Sequence, residues 1–281
     1  MTNTDPSSRQ PYSDADFDVE ADAESTARML SLYAEQSNGI YDAFENHKEI
    51  SYGPDPANKL DVFSPVGESQ GVVVFIHGGW WCKGSKESRA FLAEPLLKAG
   101  FHFVNIEYPL APASTMAEIV TSVERAMAWT YKEIGKWGGD PDHLIVAGNS
   151  AGGHLAATLC SLESLTRSGV PASAVQGLVG VSGLYDLSPF DTLFPAEWLT
   201  FDAETVKNYS PISGRYSPRL QILLAYGDKE PRGFHDQSKD FRDNLESQGK
   251  KIRCDEVMGH DHLSIIKEIP EMVKLLESAP K

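Results

Sequence analysis

The sequence contains few cysteines and no long apolar run. Its 281 residues include only three cysteines, at positions 82, 160 and 254, too few and too scattered for a disulfide framework. No apolar run approaches the ~20 residues needed to span a bilayer. Residues 1–24 are polar and acidic and lack the apolar core of a secretory signal. We therefore expect a cytoplasmic protein that does not insert into membranes.

The sequence also has fewer basic than acidic residues. Lys and Arg number 25 against 40 Asp and Glu, giving a formal net charge of −15 at pH 7. Such a chain is repelled by nucleic acid and by anionic membranes, so neither is expected as a partner. The H-E-x-x-H and C-x-x-C spacings of metal sites are absent. No metal or cofactor is expected; chelation by His260, Asp261 and His262 is the alternative to a catalytic role for this segment.

One serine stands at the centre of a G-x-S-x-G motif, residues 148–152, directly after the apolar run 144–147. Such a motif forms a sharp turn between a buried strand and a helix, where a side chain at either glycine would collide with the turn. The strained backbone holds the serine hydroxyl out of the sheet. The pattern predicts that Ser150 is a nucleophile that attacks a carbonyl carbon.

A second motif follows the apolar run 72–76, which ends in His77-Gly78-Gly79-Trp80-Trp81. Acyl transfer passes through an intermediate whose oxygen carries a negative charge, and backbone N–H groups are its usual stabilisers. Glycines let the backbone approach that oxygen closely. We expect the N–H groups of Gly79, Trp80 and Ala151 to form this oxyanion hole, and the leading histidine to brace the loop.

The acid and the base are expected after the serine in the chain, in the order serine, acid, histidine. The run 220–226 is predicted to be a buried strand, and Asp228 follows its end, so we expect Asp228 to orient the histidine, with Glu230 as the nearest substitute. After a last strand, 252–258, His260 and His262 compete for the role of base. His262 is preferred because it begins an apolar run that resembles the first turn of a helix.

Apolar strands alternate with amphipathic helical stretches along most of the chain, which predicts a mostly parallel twisted sheet flanked by helices. Residues 1–20 are expected to form a mobile tail, and 21–281 a single α/β domain. Two segments, 21–45 and 187–209, are candidate caps because they hold apolar residues outside this alternation. Three aromatic residues are expected to bind the substrate: Trp81 from the glycine-rich loop, and Phe194 and Trp198 from the second candidate cap.

These motifs resemble the α/β-hydrolase superfamily, and within it the hormone-sensitive-lipase-like esterases and their kynurenine formamidase relatives. The resemblance runs from about residue 52 to the end. The glycine-rich loop, with tryptophan at position 81, resembles that of the formamidase branch. Two departures are Pro109, where an arginine is common, and Asn149, where the formamidases often carry histidine. The markers are residues 59–63, 77–81, 108–112, 139–141, 148–156 and 261–263.

The resemblance implies a serine hydrolase that cleaves a small carboxylic ester or amide through an acyl-enzyme intermediate, without a cofactor. Arylformamidase activity of the N-formylkynurenine type and short-chain carboxylesterase activity both remain open. A ligand-binding pseudoenzyme of the same fold is a more distant alternative, which the presence of candidates for all three triad positions opposes. The expected partner is the small-molecule substrate, and a homodimer is left open.

Overall fold

The computed structural model describes residues 10–20 and 22–278. The strands are β1 (Asn46–Ser51), β2 (Lys59–Phe63), β3 (Gly71–Ile76), β4 (Phe101–Ile106), β5 (Leu144–Asn149), β6 (Val175–Val181), β7 (Gln221–Gly227) and β8 (Ile252–Val257). The helices are α1 (Ala23–Ser37), α2 (Ile40–Ala43), α3 (Ala93–Lys98), α4 (Met116–Glu133), α5 (Ala151–Leu159), α6 (Leu162–Ser168), α7 (Ala203–Tyr209), α8 (Arg232–Ser247) and α9 (Ile269–Glu277).

The eight strands form one sheet in the order β1-β2-β4-β3-β5-β6-β7-β8. Strand β2 pairs antiparallel with both β1 and β4, and every pairing from β4 to β8 is parallel. The predicted fold class, a mostly parallel sheet flanked by helices, is therefore confirmed. Because parallel strands all end at one edge, the residues that follow β3, β5, β7 and β8 are brought together there.

Alternating residues of the central strands feed two separate cores. In β3, Val72 and Val74 face the core that also contains α4, α5 and α8, whereas Val73 and Phe75 face the core with α3 and α9. Every residue of β3 and β5 is buried, as expected for strands covered on both faces. The layers hold the carboxyl edge of the sheet rigidly, so a site built there is positioned by the core.

The N-terminal segment differs from the expectation of a mobile tail. Residues 1–9 lie outside the described residues, but 10–20 pack against the domain. The Phe17 ring is fully buried and contacts Trp80, Phe190 and Phe234. This buried side chain contributes roughly 1.5–3 kcal/mol of transfer free energy. The Asp16–Arg232 ion pair and the hydrogen bond from Phe194 N–H to Asp14 hold the segment further.

Within residues 10–20 and 22–278, no helix combines the length and the apolar character needed to cross a bilayer.

Candidate active site

The serine of the G-x-S-x-G motif occupies the turn between β5 and α5. Ser150 has φ = 56° and ψ = −126°, in the region that residues with a side chain rarely adopt. A Cβ at Gly148 would lie 2.2 Å from the carbonyl oxygen of Gly152, and a Cβ at Gly152 would lie 2.1 Å from that of Ile76. Both flanking glycines are therefore required by the turn, which presents the serine at the carboxyl edge of the sheet.

The glycine-rich loop after β3 is attached to this turn. Gly78 N–H donates to Asn149 Oδ1 at 3.2 Å, so the residue before the serine fixes the loop beside it. Gly79 has φ = +126° and Trp80 has φ = +55°. Among the described residues, none accepts a hydrogen bond from the N–H of Gly79, Trp80 or Ala151. These three donors are those predicted for the oxyanion hole, whereas the tethering role of Asn149 was not anticipated.

His77 braces the loop from below, as the sequence predicts. Its Nδ1 lies 2.8 Å from the carbonyl oxygen of Gly78 and its Nε2 lies 2.9 Å from Glu107 Oε1. The imidazole stacks on the Tyr108 ring, and the Tyr108 hydroxyl donates to the His77 carbonyl. The side chain is completely buried, so it orients the loop and does not reach the cavity.

His262 follows β8 and is joined to a buried carboxylate. Its Nδ1 donates to Glu230 Oε2 at 2.8 Å, and the Glu230 side chain has no exposed surface. The other carboxylate oxygen of Glu230 accepts from the Ser182 hydroxyl and from Gly227 N–H, both at 2.6 Å. Both oxygens are thus occupied, and the carboxylate holds one imidazole orientation with the proton on Nδ1.

This geometry corrects the prediction that Asp228 is the acid. Asp228 Oδ1 accepts from the N–H groups of Gly259 and His260, at 2.6 and 3.2 Å, and so closes the turn after β8. The chain turns sharply after Gly227, and this turn directs Glu230 inward while Asp228 remains near the surface. The substitute named from the sequence, Glu230, is the carboxylate that contacts His262.

The two candidate histidines are separated clearly. His262 lines the same cavity as Ser150 and its ring packs 4.1 Å from that of Phe234. His260 does not line this cavity, and its Nε2 lies 3.6 Å from Glu268.

Asp261, between the two histidines, accepts hydrogen bonds from the N–H groups of Leu263 and Ser264. Partial burial opposes ionisation of Asp261, but these hydrogen bonds prevail and lower its carboxyl pKa.

In the part of the chain that the structure describes, no three His, Cys, Asp or Glu side chains are grouped so that they could hold a metal ion.

Ser150 and His262 open into a cavity of about 390 Å³. The residues that line it come from three parts of the chain: the N-terminal segment with α1, the loop after β3, and the two turns that carry the serine and the histidine. They are Val19, Glu20, Thr26, Leu30, Gly78, Gly79, Trp80, Lys83, Gly84, Ser85, Ser88, Arg89, Asn149, Ser150, His262 and Leu263.

The predicted substrate-binding aromatics do not line this cavity, and Trp80 does so instead. Trp81 is fully buried, and its Nε1–H donates to His154 Nδ1 at 3.1 Å. Phe194 packs against the Trp80 ring, with 4.8 Å between centroids, and Trp198 Nε1–H donates to the Trp80 carbonyl. Segment 187–209 therefore packs against Trp80 and contributes no residue to the cavity wall, so it is not a cap over the cavity.

His154 is a structural residue, as the sequence predicts. Its Nε2 donates to the Tyr209 carbonyl at 2.8 Å while its Nδ1 accepts from Trp81. Complete burial lowers the pKa of the imidazole to about 4, so it is neutral at physiological pH.

The other candidate cap, 21–45, does contribute a wall. Leu30 and Thr26 of α1 line the cavity together with Val19 and Glu20. The helix is anchored by Tyr33, whose hydroxyl donates to the Leu263 carbonyl next to His262. The N-terminal wall is therefore tied to the turn that holds the histidine.

Residues 60–245 match the BD-FAE family model. The chain belongs to the BD-FAE family. The matched region contains the serine turn, the glycine-rich loop and Glu230, whereas His262 and the N-terminal wall lie outside it.

Characterised hydrolases are among the proteins similar in sequence to this member of the BD-FAE family. It is 31% identical over 245 residues to a kynurenine formamidase of Salmo salar, covering 84% of this chain and 80% of the relative. It is 32% identical over 237 residues to that of Danio rerio, covering 81% and 78%. Esterase LipQ of Mycobacterium tuberculosis is 29% identical over 222 residues, covering 72% and 53%. The chain is thus a hydrolase of the esterase and formamidase class.

Solved structures share the fold. A protein from Silicibacter sp. TM1040, designated a thioesterase, superposes with a TM-score of 0.84 at 24% identity, covering 96% of this chain and all of the other. An esterase of Pyrobaculum calidifontis gives a TM-score of 0.73 at 20% identity, covering 96% and 95%. The fold is that of the α/β-hydrolases, as predicted.

Proposed function

We propose that this protein is a serine hydrolase that cleaves a small carboxylic ester or amide through an acyl-enzyme intermediate. Ser150 is the nucleophile, His262 the general base and Glu230 the acid that orients it. The observation that carries the proposal is the buried bond between His262 and Glu230, formed beside a strained serine in one cavity. A carboxylate bonded to an imidazole that lines the same cavity as a serine hydroxyl supplies the three groups of a catalytic triad.

The chemistry follows from the protonation that Glu230 imposes. With its proton on Nδ1, His262 accepts the Ser150 hydroxyl proton at Nε2 as the oxygen bonds to the substrate carbonyl carbon. The carbonyl oxygen becomes an oxyanion that accepts hydrogen bonds from the N–H groups of Gly79, Trp80 and Ala151. His262 returns the proton to the departing alcohol or amine, and a water molecule, activated in the same way, releases the acid.

Two substrate classes are supported by different relatives. The kynurenine formamidases favour an arylformamide, which has a small acyl group and an aromatic amine as leaving group. The similarity to esterase LipQ supports the other class, a carboxylic ester. Trp80 and Leu30 both line the cavity, so its wall includes apolar residues that can contact either leaving group.

The proposed function is tested with purified protein on a panel of N-formylkynurenine and 4-nitrophenyl esters of increasing acyl length. We expect turnover of at least one member, and covalent labelling of Ser150 by a fluorophosphonate probe. A folded protein that neither takes the probe nor cleaves any substrate would be a pseudoenzyme, and the proposal would be wrong.

Replacing Glu230 by glutamine is expected to lower kcat by about 10³–10⁴-fold. The glutamine oxygen can still accept from Ser182 and Gly227, but its amide NH2 would face Nδ1 of His262. The imidazole would then carry its proton on Nε2, where it cannot accept one from serine. The measurement is kcat on a reactive ester from the panel.

Asp228→Asn is the matched control for this substitution. Its side-chain oxygen can still accept from Gly259 and His260, so we expect kcat within about threefold of wild type. A larger loss in Asp228→Asn than in Glu230→Gln would restore Asp228 as the acid.

A further inference from the structure

Arg89 is a buried cationic residue in the wall of the cavity that holds Ser150. It lies in the 3-10 turn Glu87–Leu92, directly after the glycine-rich loop, and it lines the cavity. Only 5% of its surface is exposed. Arginine keeps its charge in proteins even when burial lowers the guanidinium pKa, as it does here. The proposed active site therefore contains a permanent cation that the triad chemistry does not use.

No carboxylate of the described chain pairs with this cation. The Arg89 Nη1 atom donates to the carbonyl and the hydroxyl of Ser88, both at 3.1 Å, and the guanidinium lies 5.6 Å from the centre of the Tyr33 ring. Its Nε is buried and has no hydrogen-bond partner. The guanidinium fork is thus only partly satisfied by neutral groups.

The neighbouring buried lysine shows the opposite arrangement. Lys86 is 2% exposed, and its ammonium contacts the carboxylates of Glu49, Asp61 and Glu87. Lys83, the other cationic side chain on the cavity wall, pairs with Glu20. Within residues 10–20 and 22–278, carboxylates thus pair with both lysines and none pairs with Arg89.

A buried charge is costly unless it is paired and hydrogen-bonded. The cost is offset if an anionic ligand completes the pair whenever the cavity is filled. A guanidinium matches a carboxylate through two parallel hydrogen bonds. A single unpaired cation balances a single negative charge, which favours a carboxylate over a doubly charged phosphate.

We propose that Arg89 determines specificity by binding a carboxylate on the substrate, away from the bond that is cleaved. The enzyme is then selective for esters or amides that carry a carboxylate. This inference rests on the proposed hydrolase function and adds the substrate's charge to it.

The test compares two pairs of substrates that differ in one carboxylate. In the first pair, 3-acetoxybenzoate and phenyl acetate, the charge is on the leaving group. In the second pair, the 4-nitrophenyl monoester of adipic acid and 4-nitrophenyl hexanoate, the charge is on the acyl group. The quantity measured is the ratio of kcat/KM for the charged ester to that for the neutral one.

We expect Arg89→Gln to lower this ratio by about 10- to 100-fold in at least one pair, mainly through a higher KM for the charged ester. Arg89→Lys should retain part of the preference, because it keeps the charge but loses the fork. The matched control is Arg125→Gln, which removes an exposed arginine from α4 and should leave both ratios at the wild-type value. Ratios unchanged by Arg89→Gln in both pairs would overturn the inference.

A measurement on the unmodified protein covers the case in which Arg89→Gln does not fold. Benzoate should inhibit hydrolysis of the neutral ester competitively, with an inhibition constant at least about tenfold below that of benzamide. Equal inhibition by the two compounds would contradict the inference. Its failure is distinguishable from that of the proposed function: in the former case neutral esters are still hydrolysed and Ser150 is still labelled, and in the latter neither occurs.

Discussion

Ser150→Ala is expected to abolish hydrolysis, with kcat falling by about 10⁴–10⁶-fold, while the protein stays folded. The alanine keeps the Cβ that the turn already accommodates, and among the described residues none is hydrogen-bonded to the serine hydroxyl. Removing that oxygen therefore takes away the nucleophile and leaves no buried partner unsatisfied. The measurement is kcat on the best ester of the panel, with thermal unfolding of both proteins.

The matched control is Ser247→Ala at the exposed end of α8, which should retain full activity. If purified, folded Ser150→Ala kept more than a few per cent of wild-type turnover, the hydrolysis would need a different nucleophile.

His262→Ala is expected to lose about as much activity as Ser150→Ala, because the two side chains transfer one proton between them and their losses do not add. The double variant should be no slower than either single variant. His260→Ala should cost less than about tenfold in kcat, since that side chain lies outside the cavity near Glu268. The measurement is kcat for the wild type and these four variants on one ester.

The reverse order, with His260→Ala the more damaging, would make His260 the base. It would also mean that the turn after β8 rearranges when substrate binds.

The fold could be predicted because its signals are local and redundant. The runs around β3, β5, β6 and β7 are continuously apolar, as strands covered on both faces must be, and glycines stand where the serine turn allows no Cβ. Strand β4 is less clearly marked, because a histidine and an asparagine interrupt its apolar run. Its position between β2 and β3 is seen only in the strand order of the sheet. Long-range pairing has no such local signature.

The choice of acid could not be made from the sequence. Asp228 and Glu230 are two residues apart, and both follow the same apolar strand. What separates them is the turn in which Gly227 N–H donates to Glu230, and the hydroxyl of Ser182 from the end of another strand. Choosing the first carboxylate after the strand ignores both hydrogen bonds, because neither can be read from the local sequence.

The neighbouring tryptophans posed a similar problem. Trp80 and Trp81 both have positive φ angles, so the backbone turns in a way that alternation along a strand does not describe. Trp80 lines the cavity, whereas the Trp81 indole is bonded to His154 in the core. Composition was equally misleading for 10–20, where Phe17 is buried and the acidic side chains of Asp14 and Asp16 themselves bond to the domain.

The N-terminal wall has a consequence for how substrate preference can diverge in this fold. The residues that perform the chemistry are fixed by a sheet covered on both faces, where a change in one position strains many others. Val19, Thr26 and Leu30, by contrast, touch the cavity from a segment outside the matched family region. Substitutions of these three side chains would reshape the chamber, whereas loss of the whole segment would also remove the bond from the Tyr33 hydroxyl to the Leu263 carbonyl beside His262. The shape of the cavity can thus change through side chains outside the matched region, while the charge preference that we propose is set by Arg89 inside it.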